Sequence, residues 1–125
     1  AGPALTRPGE WIAARTESKR TVMYDQVSQD YWYRFWNIPP DGSEDADLLA
    51  IAGHILGGGK TSRLYERLVY RERLADSASA GPSAFEIAGI FTMTAAVKTR
   101  ADFLKMEAAA PLRIFIGWAG VRRSC

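Results

Sequence analysis

Gly57-Gly58-Gly59-Lys60-Thr61 is the run whose residue types most suggest chemistry, because glycines beside a lysine and a hydroxyl residue can cradle a phosphate. A phosphate-binding loop needs another glycine five residues before the one that precedes the lysine. That position is His54, and Gly53 lies one residue too far. The residues leading into the run also read as an amphipathic helix, whereas a phosphate loop follows a buried strand. A nucleotide-binding module is therefore disfavoured. The run reads better as a helix terminator followed by a helix start, with Lys60 in water.

His54 is the other candidate for chemistry, and it is the only histidine in the chain. A helical zinc site of the HxxEH kind needs a second imidazole one turn on, yet Gly57 and Gly58 occupy those positions. The single cysteine, Cys125, supplies no second ligand and allows no disulfide within the chain. No metal-ligating and no catalytic residue is assigned from this sequence, and no cofactor is expected in this chain.

Composition narrows the class further. The 125 residues suit one domain, and 47% hydrophobic with 24% charged residues is ordinary for a globular protein. Sixteen basic and 14 acidic residues nearly cancel, leaving a net charge of +2, so nucleic acid is not an expected partner. No apolar run approaches the roughly 20 residues that span a bilayer. The N-terminus shows no charged segment followed by an apolar core, although a piece beginning inside a longer protein would look the same.

The elements that must position these residues follow from periodicity. Residues 1–19, with Pro3, Pro8 and Gly9, read as a linker. Arg20–Val27 alternates β-branched and aromatic residues and predicts a strand; Ser28-Gln29-Asp30 predicts a turn. Tyr31–Ile38 predicts a second strand, stopped by Pro39-Pro40, with Trp32, Arg34 and Trp36 on one face and Tyr31, Tyr33 and Phe35 on the other. Both faces are expected to be buried, under helices and against a neighbouring domain; a sheet lacking that domain would instead leave rings free for dimerisation. Asp41 and Glu44 fit a helix-start pair. Leu48, Ile51, Ala52, Ile55 and Leu56 follow at helical spacing as one apolar face, ended by Gly57-Gly58-Gly59. A second helix is expected from Thr61 or Ser62 to about Arg73, with Leu64 and Leu68 inward. Ala75–Ala80 alternates small and polar residues, Gly81-Pro82-Ser83 reads as a turn, and Ile90–Val97 is a strand with Phe91, Met93, Ala95 and Val97 on one face. A helix restarts at Ala101 and breaks at Pro111. Paired strands with helices grouped between them predict an α+β domain whose sheet is largely antiparallel, with helices on one face.

The stretch ILGGGKTSRLYERLVYRERLADSASAGPSAFEIAGIFTMTAAV, Ile55 to Val97, resembles the second-domain segment of the M16 metallopeptidases. That family includes pitrilysin, insulin-degrading enzyme and the mitochondrial processing peptidase. The glycine-rich turn, SRLY on a helix, the Leu-Ala step into a small-residue strand and the strand–IPP–acidic turn–helix approach all match. The likeness covers Arg20 to Glu107, and GGGKTSRLYERLV is its most specific part. It implies a partial M16-like domain at 20–107, preceded by the linker 1–19 and followed by an atypical tail at 108–125. In that tail Pro111 and LRIFIGWAGVRRSC depart from the expected continuous helix, so a truncated or altered C-terminal part is expected.

The resemblance implies a parent protein in which similar halves enclose a chamber, one half holding zinc through HxxEH and a distant glutamate. Zinc would then be the parent's cofactor, and peptide its substrate. In partner halves an arginine and a tyrosine seven residues apart contact substrate; matched on Leu74-Ala75, those positions are Val69 and Asp76. Both residues are replaced, and the roles do not pass to nearby Tyr70 or Arg71. The implied role is a non-catalytic domain that closes the chamber and packs on the zinc-bearing domain. The alternative is an assembly subunit of the same fold without protease activity. By resemblance to the processing peptidase's glycine loop, Gly57, Gly58, Gly59 and Lys60 are candidates for substrate contact; a plain turn is the other reading. The exposed sheet is a candidate for homo-oligomer formation.

Overall fold

The alternation along Gly89–Val97 organises the domain. In the computed structural model, which describes residues 2–6, 9, 12–14 and 16–109, this segment is the central strand of a three-stranded antiparallel sheet. The strands are β1 (Asp30–Ile38), β2 (Ala75–Ala84) and β3 (Gly89–Val97), in the order β1-β3-β2. Both edges of this strand are bonded, and its alternate side chains point to opposite faces of the sheet, one of them under the helices. Phe91, Met93, Ala95 and Val97 are buried as expected, and Phe91 and Val97 have no exposed surface. The helices α1 (Glu44–Gly57) and α2 (Arg63–Tyr65), a π-helical segment (Glu66–Arg71) and α3 (Arg100–Ala109) complete the α+β fold.

One apolar core lies between the sheet and the helices. Trp32 and Ile38 from β1, Leu49 and Leu56 from α1, and Leu64 and Leu68 from the second helical stretch close over Phe91 and Met93. The Trp36 ring meets Phe91 edge-on at 6.1 Å between centroids. Met106 on α3 is fully buried, whereas Leu104 points out. Among the described residues no buried side-chain nitrogen or oxygen lacks a hydrogen bond.

Helix α1 begins two residues later than the Asp41–Glu44 pair suggests. Ser43 is the cap: its backbone is extended and its hydroxyl accepts from the Ala46 N–H at 3.2 Å. Glu44, Asp45 and Asp47 then lie in the first turn, at the positive end of the helix dipole. Ser43→Ala is expected to remove about 1 kcal/mol of stability, read as a lower denaturation midpoint at unchanged slope. A loss too small to resolve would show that the neighbouring carboxylates suffice.

The buried face of α1 is Ala46, Leu49, Gly53, Leu56 and Gly57, which corrects the expected stripe. Leu48, Ile51 and Ile55 are instead 52, 61 and 50% exposed. Backbone contact decides this. A Cβ on Gly57 would stand 1.9 Å from the Ala80 nitrogen, so the helix can lie this close to β2 only along its glycines. Gly57 is thus the last helical residue and a packing residue, and the chain turns at Gly58 and at Gly59, whose φ is +134°.

Two further expectations are corrected. Residues 20–27 form no strand; Val22, Met23, Tyr24 and Val27 are exposed. Their alternation favours a strand only where a pleated, half-buried surface receives it. Gly81-Pro82-Ser83 continues β2, and the turn falls later, where the Phe85 N–H donates to the Ala88 carbonyl at 3.0 Å. Proline is tolerated there because β2 is an edge strand. The rings of Tyr31, Tyr33 and Phe35 are about half exposed, so within this chain only one face of β1 is covered. The expected helix break at Pro111 and the reading of the tail fall partly or wholly on 110–125, outside the described residues.

Candidate functional site

The residues singled out by sequence gather around the second helical stretch, which the glycine turn launches. Ser62 is buried and its hydroxyl donates to the Gly59 carbonyl at 2.6 Å, tying the turn to the helix start. The expected single helix to Arg73 is α2 followed by six π-helical residues. It ends with Arg73 in the left-handed region (φ 54°), while the Leu74 N–H reaches back to the Leu68 carbonyl at 2.9 Å. This wide last turn keeps both Leu64 and Leu68 in the core and delivers Leu74-Ala75, both buried, into β2.

Along this stretch runs a groove of about 550 Å³. The apolar groups of Leu56 and Leu64 line it together with Arg63, Arg67, Arg71, Glu66 and Glu72. Two ion pairs span it, Arg67–Glu72 and Arg71–Glu66, each at 2.8 Å. They are solvent-exposed, so each contributes at most about 1 kcal/mol and leaves its arginine available to a stronger acceptor. The lining is charged and open to solvent. It does not bring a nucleophile together with a base.

The glycine-turn candidates divide. Gly57 is buried against β2, which leaves Gly58, Gly59 and Lys60 exposed to a ligand. His54 is exposed on α1 beside Gly58, whose Cβ would stand 2.6 Å from the imidazole Nδ1. Zinc does not fit this donor set: no group of three or more His, Cys, Asp and Glu side chains converges among the described residues.

The two positions matched to the arginine–tyrosine pair lie apart in kind. Val69 is half-buried and packs against the core. Asp76 is the extra residue of a β-bulge, since Ala75 pairs with Val97 and Ser77 with Ala96. The bulge turns its carboxylate outward, where it accepts from Gln29 Nε2 at 2.5 Å and lies 3.8 Å from Lys98 Nζ. Neighbouring Tyr70 is engaged edge-on with Tyr65 at 5.4 Å, and Arg71 with Glu66. Sequence reasoning missed the groove and the bulge. A groove made by the bases of salt-bridged side chains has no one-dimensional signature, and a bulge is visible only as a slip in pairing.

Among the described residues no helix is long and apolar enough to cross a membrane. A family model described as the peptidase M16 inactive domain matches residues 2–110. Among solved structures, a protease from Helicobacter pylori is similar, at 26% identity and a TM-score of 0.62. The match covers 71% of this chain and 22% of that one, so the chain spans less than a quarter of that protease. No curated protein matches.

Proposed function

The chain belongs to the M16 peptidase family as a domain of its inactive type, and from that premise we propose that it closes the substrate chamber of a zinc peptidase by packing on the zinc-bearing domain. The match to the inactive-domain model over residues 2–110 carries this reading. The donor set supports it, because the lone exposed His54 has no second ligand a helical turn away.

The outer side of α1 supports the packing role. Leu48, Ile51 and Ile55 form an uncovered apolar stripe opposite the face that meets β2. A helix that is apolar on both sides is normally covered on both, and the zinc-bearing domain is the proposed cover. In the proposed parent, zinc would be held by residues of that other domain and would supply the chemistry of peptide hydrolysis there. Gly58, Gly59 and Lys60 are the proposed peptide contacts from this chain, being exposed in the turn between Leu56 and Arg63, two residues that line the groove.

Purified chain is expected to hold no stoichiometric zinc and to leave an unfolded peptide intact. Cleavage is expected once the zinc-bearing domain is supplied, and Ile51→Asp is expected to weaken that rescue without unfolding the chain. One zinc per chain, or chelator-sensitive cleavage by the chain alone, overturns the reading. A stable complex without cleavage favours the assembly-subunit alternative.

A further inference from the structure

β1 is a nine-residue edge strand with an open side. It bonds β3 on one side, and among the described residues no other main-chain hydrogen bond involves Asp30–Ile38. Alternate residues therefore present N–H and C=O groups outward, a template for another strand. The usual protections are thin. The strand DYWYRFWNI has no proline and no lysine, and Arg34 is folded over the Trp36 ring, 5.4 Å from its centroid.

The outward face of this edge carries a ladder. Tyr31 and Tyr33 stack at 6.1 Å and Tyr33 and Phe35 at 6.0 Å, and all three rings are about half exposed. Their spacing, ring-x-ring-x-ring, reads the same in both directions about Tyr33. A twofold contact requires that property, because the same patch must meet itself reversed.

We propose that β1 is the contact of a twofold homodimer, in which two copies of the strand pair antiparallel and join two three-stranded sheets into one. In an antiparallel pair, residues directly opposite share a face and a bonding type. The twofold axis must then pass through a residue, and Trp32, Tyr33 and Arg34 are the central choices. An axis at Arg34 sets one guanidinium against its copy, which is unfavourable. An axis at Trp32 sets Phe35 against Gln29, outside the strand. An axis at Tyr33 sets Tyr31 against Phe35 and Tyr33 against itself, so every ring of both ladders has a ring opposite. On the inner face the same register sets Trp32 against Arg34, a cation–π pairing, with no like charges opposed.

The rival within the chain is the segment before β1. Among the described residues it makes no main-chain hydrogen bond to the strand: Asn37 Nδ2 donates to the Ala13 carbonyl at 2.8 Å, and the Tyr24 ring lies under Arg100 at 5.6 Å. The dimer uses β1, and the domain packing proposed above uses the outer side of α1, so either can fail without the other.

The test is sedimentation velocity of the full chain over a wide concentration range, in reducing buffer so that Cys125 cannot cross-link. The chain is expected to dimerise with rising concentration. Tyr33→Lys and Tyr33→Glu, at a position 54% exposed, are each expected to weaken the dimer about tenfold or more by opposing like charges. Mixing the two variants is expected to restore it, because only the Tyr33-centred register puts the two substitutions face to face. Unchanged circular dichroism checks that both variants fold. A chain that stays monomeric overturns the proposal; so does Tyr33→Lys dimerising like the parent sequence, or a mixture that fails to recover. If the monomer protects the amides of residues 20–27 and 30–38 together from exchange, the N-terminal segment holds the edge and the proposal falls.

Discussion

Gly57→Ala is expected to lower the unfolding free energy by about 3 kcal/mol or more, at the upper end of overpacking costs. Helix propensity points the other way, since alanine inside a helix is better than glycine by about 1 kcal/mol. The contact decides the sign. The added methyl would sit 1.9 Å from the Ala80 nitrogen, 2.6 Å from its Cα and 2.6 Å from the Ser79 carbonyl carbon. All three are backbone atoms of β2, so no side-chain rotation can relieve them. The helix must lift from the strand, and Leu49 and Leu56 lift with it. Gly53→Ala provides the scale: its nearest neighbours, Gly81 Cα and Pro82 Cδ, stand at 2.9 Å, so β2 must move there too, but by less than at Gly57. Urea denaturation of both variants should rank Gly57→Ala well below Gly53→Ala. Equal midpoints, or a Gly57→Ala protein as stable as the parent, would refute the close approach of α1 to β2.

Phe91→Ala is expected to cost about 3–5 kcal/mol, the range for deleting a buried aromatic ring. Phe91 has no exposed surface, occupies the central strand and meets the edge of Trp36. Its ring also lies 3.4 Å from where a Gly53 Cβ would be, so it fills the junction of sheet and α1. A domain of this size holds about 5–15 kcal/mol in all, so the loss is a large share of the total and the thermal midpoint should fall markedly. Leu104→Ala, at a residue 67% exposed, should change stability by no more than about 0.5 kcal/mol. Loss of the near-ultraviolet dichroism and a lowered thermal midpoint are the readouts. A Phe91→Ala protein within about 1 kcal/mol of the parent would place the core elsewhere.

These two residues also differ in how visible they are in the sequence. Phe91 belongs to a strand whose apolar residues fall at every second position, and β3 is flanked by strands on both sides, so the pattern and the buried face coincide. Gly57 reads as punctuation. Glycine at a helix end is ordinarily a stop, and nothing local to Gly57 signals that Ala80 lies against it. The same blindness misplaced the buried face of α1, where Leu48, Ile51 and Ile55 form a stripe more apolar than the face that is buried. Hydrophobicity alone prefers the leucine and isoleucine stripe; steric access prefers the glycines, and steric access wins because backbone atoms cannot be compressed.

The candidate site was legible mainly as a deficit. A single histidine followed a turn later by glycines excludes a helical zinc pair without any coordinates. The replaced positions, Val69 and Asp76, were also readable, once the Leu74-Ala75 step was matched to the family. That Asp76 stands on a bulge facing Gln29 and Lys98 was not, because the bulge is a relation between β2 and β3.

The amino-acid order by itself determined the α+β class, a strand over Ile90–Val97 with Phe91, Met93, Ala95 and Val97 on one face, and a helix that starts near Ser43, since each follows from residue type and local period. Tertiary structure alone decided that residues 20–27 stay out of the sheet, that Gly81-Pro82-Ser83 stays in it, and that α1 presents its glycines inward. In each case the deciding quantity is a distance between segments far apart in the chain. Periodicity reports which side of an element is apolar; it carries no information on how closely another backbone can approach.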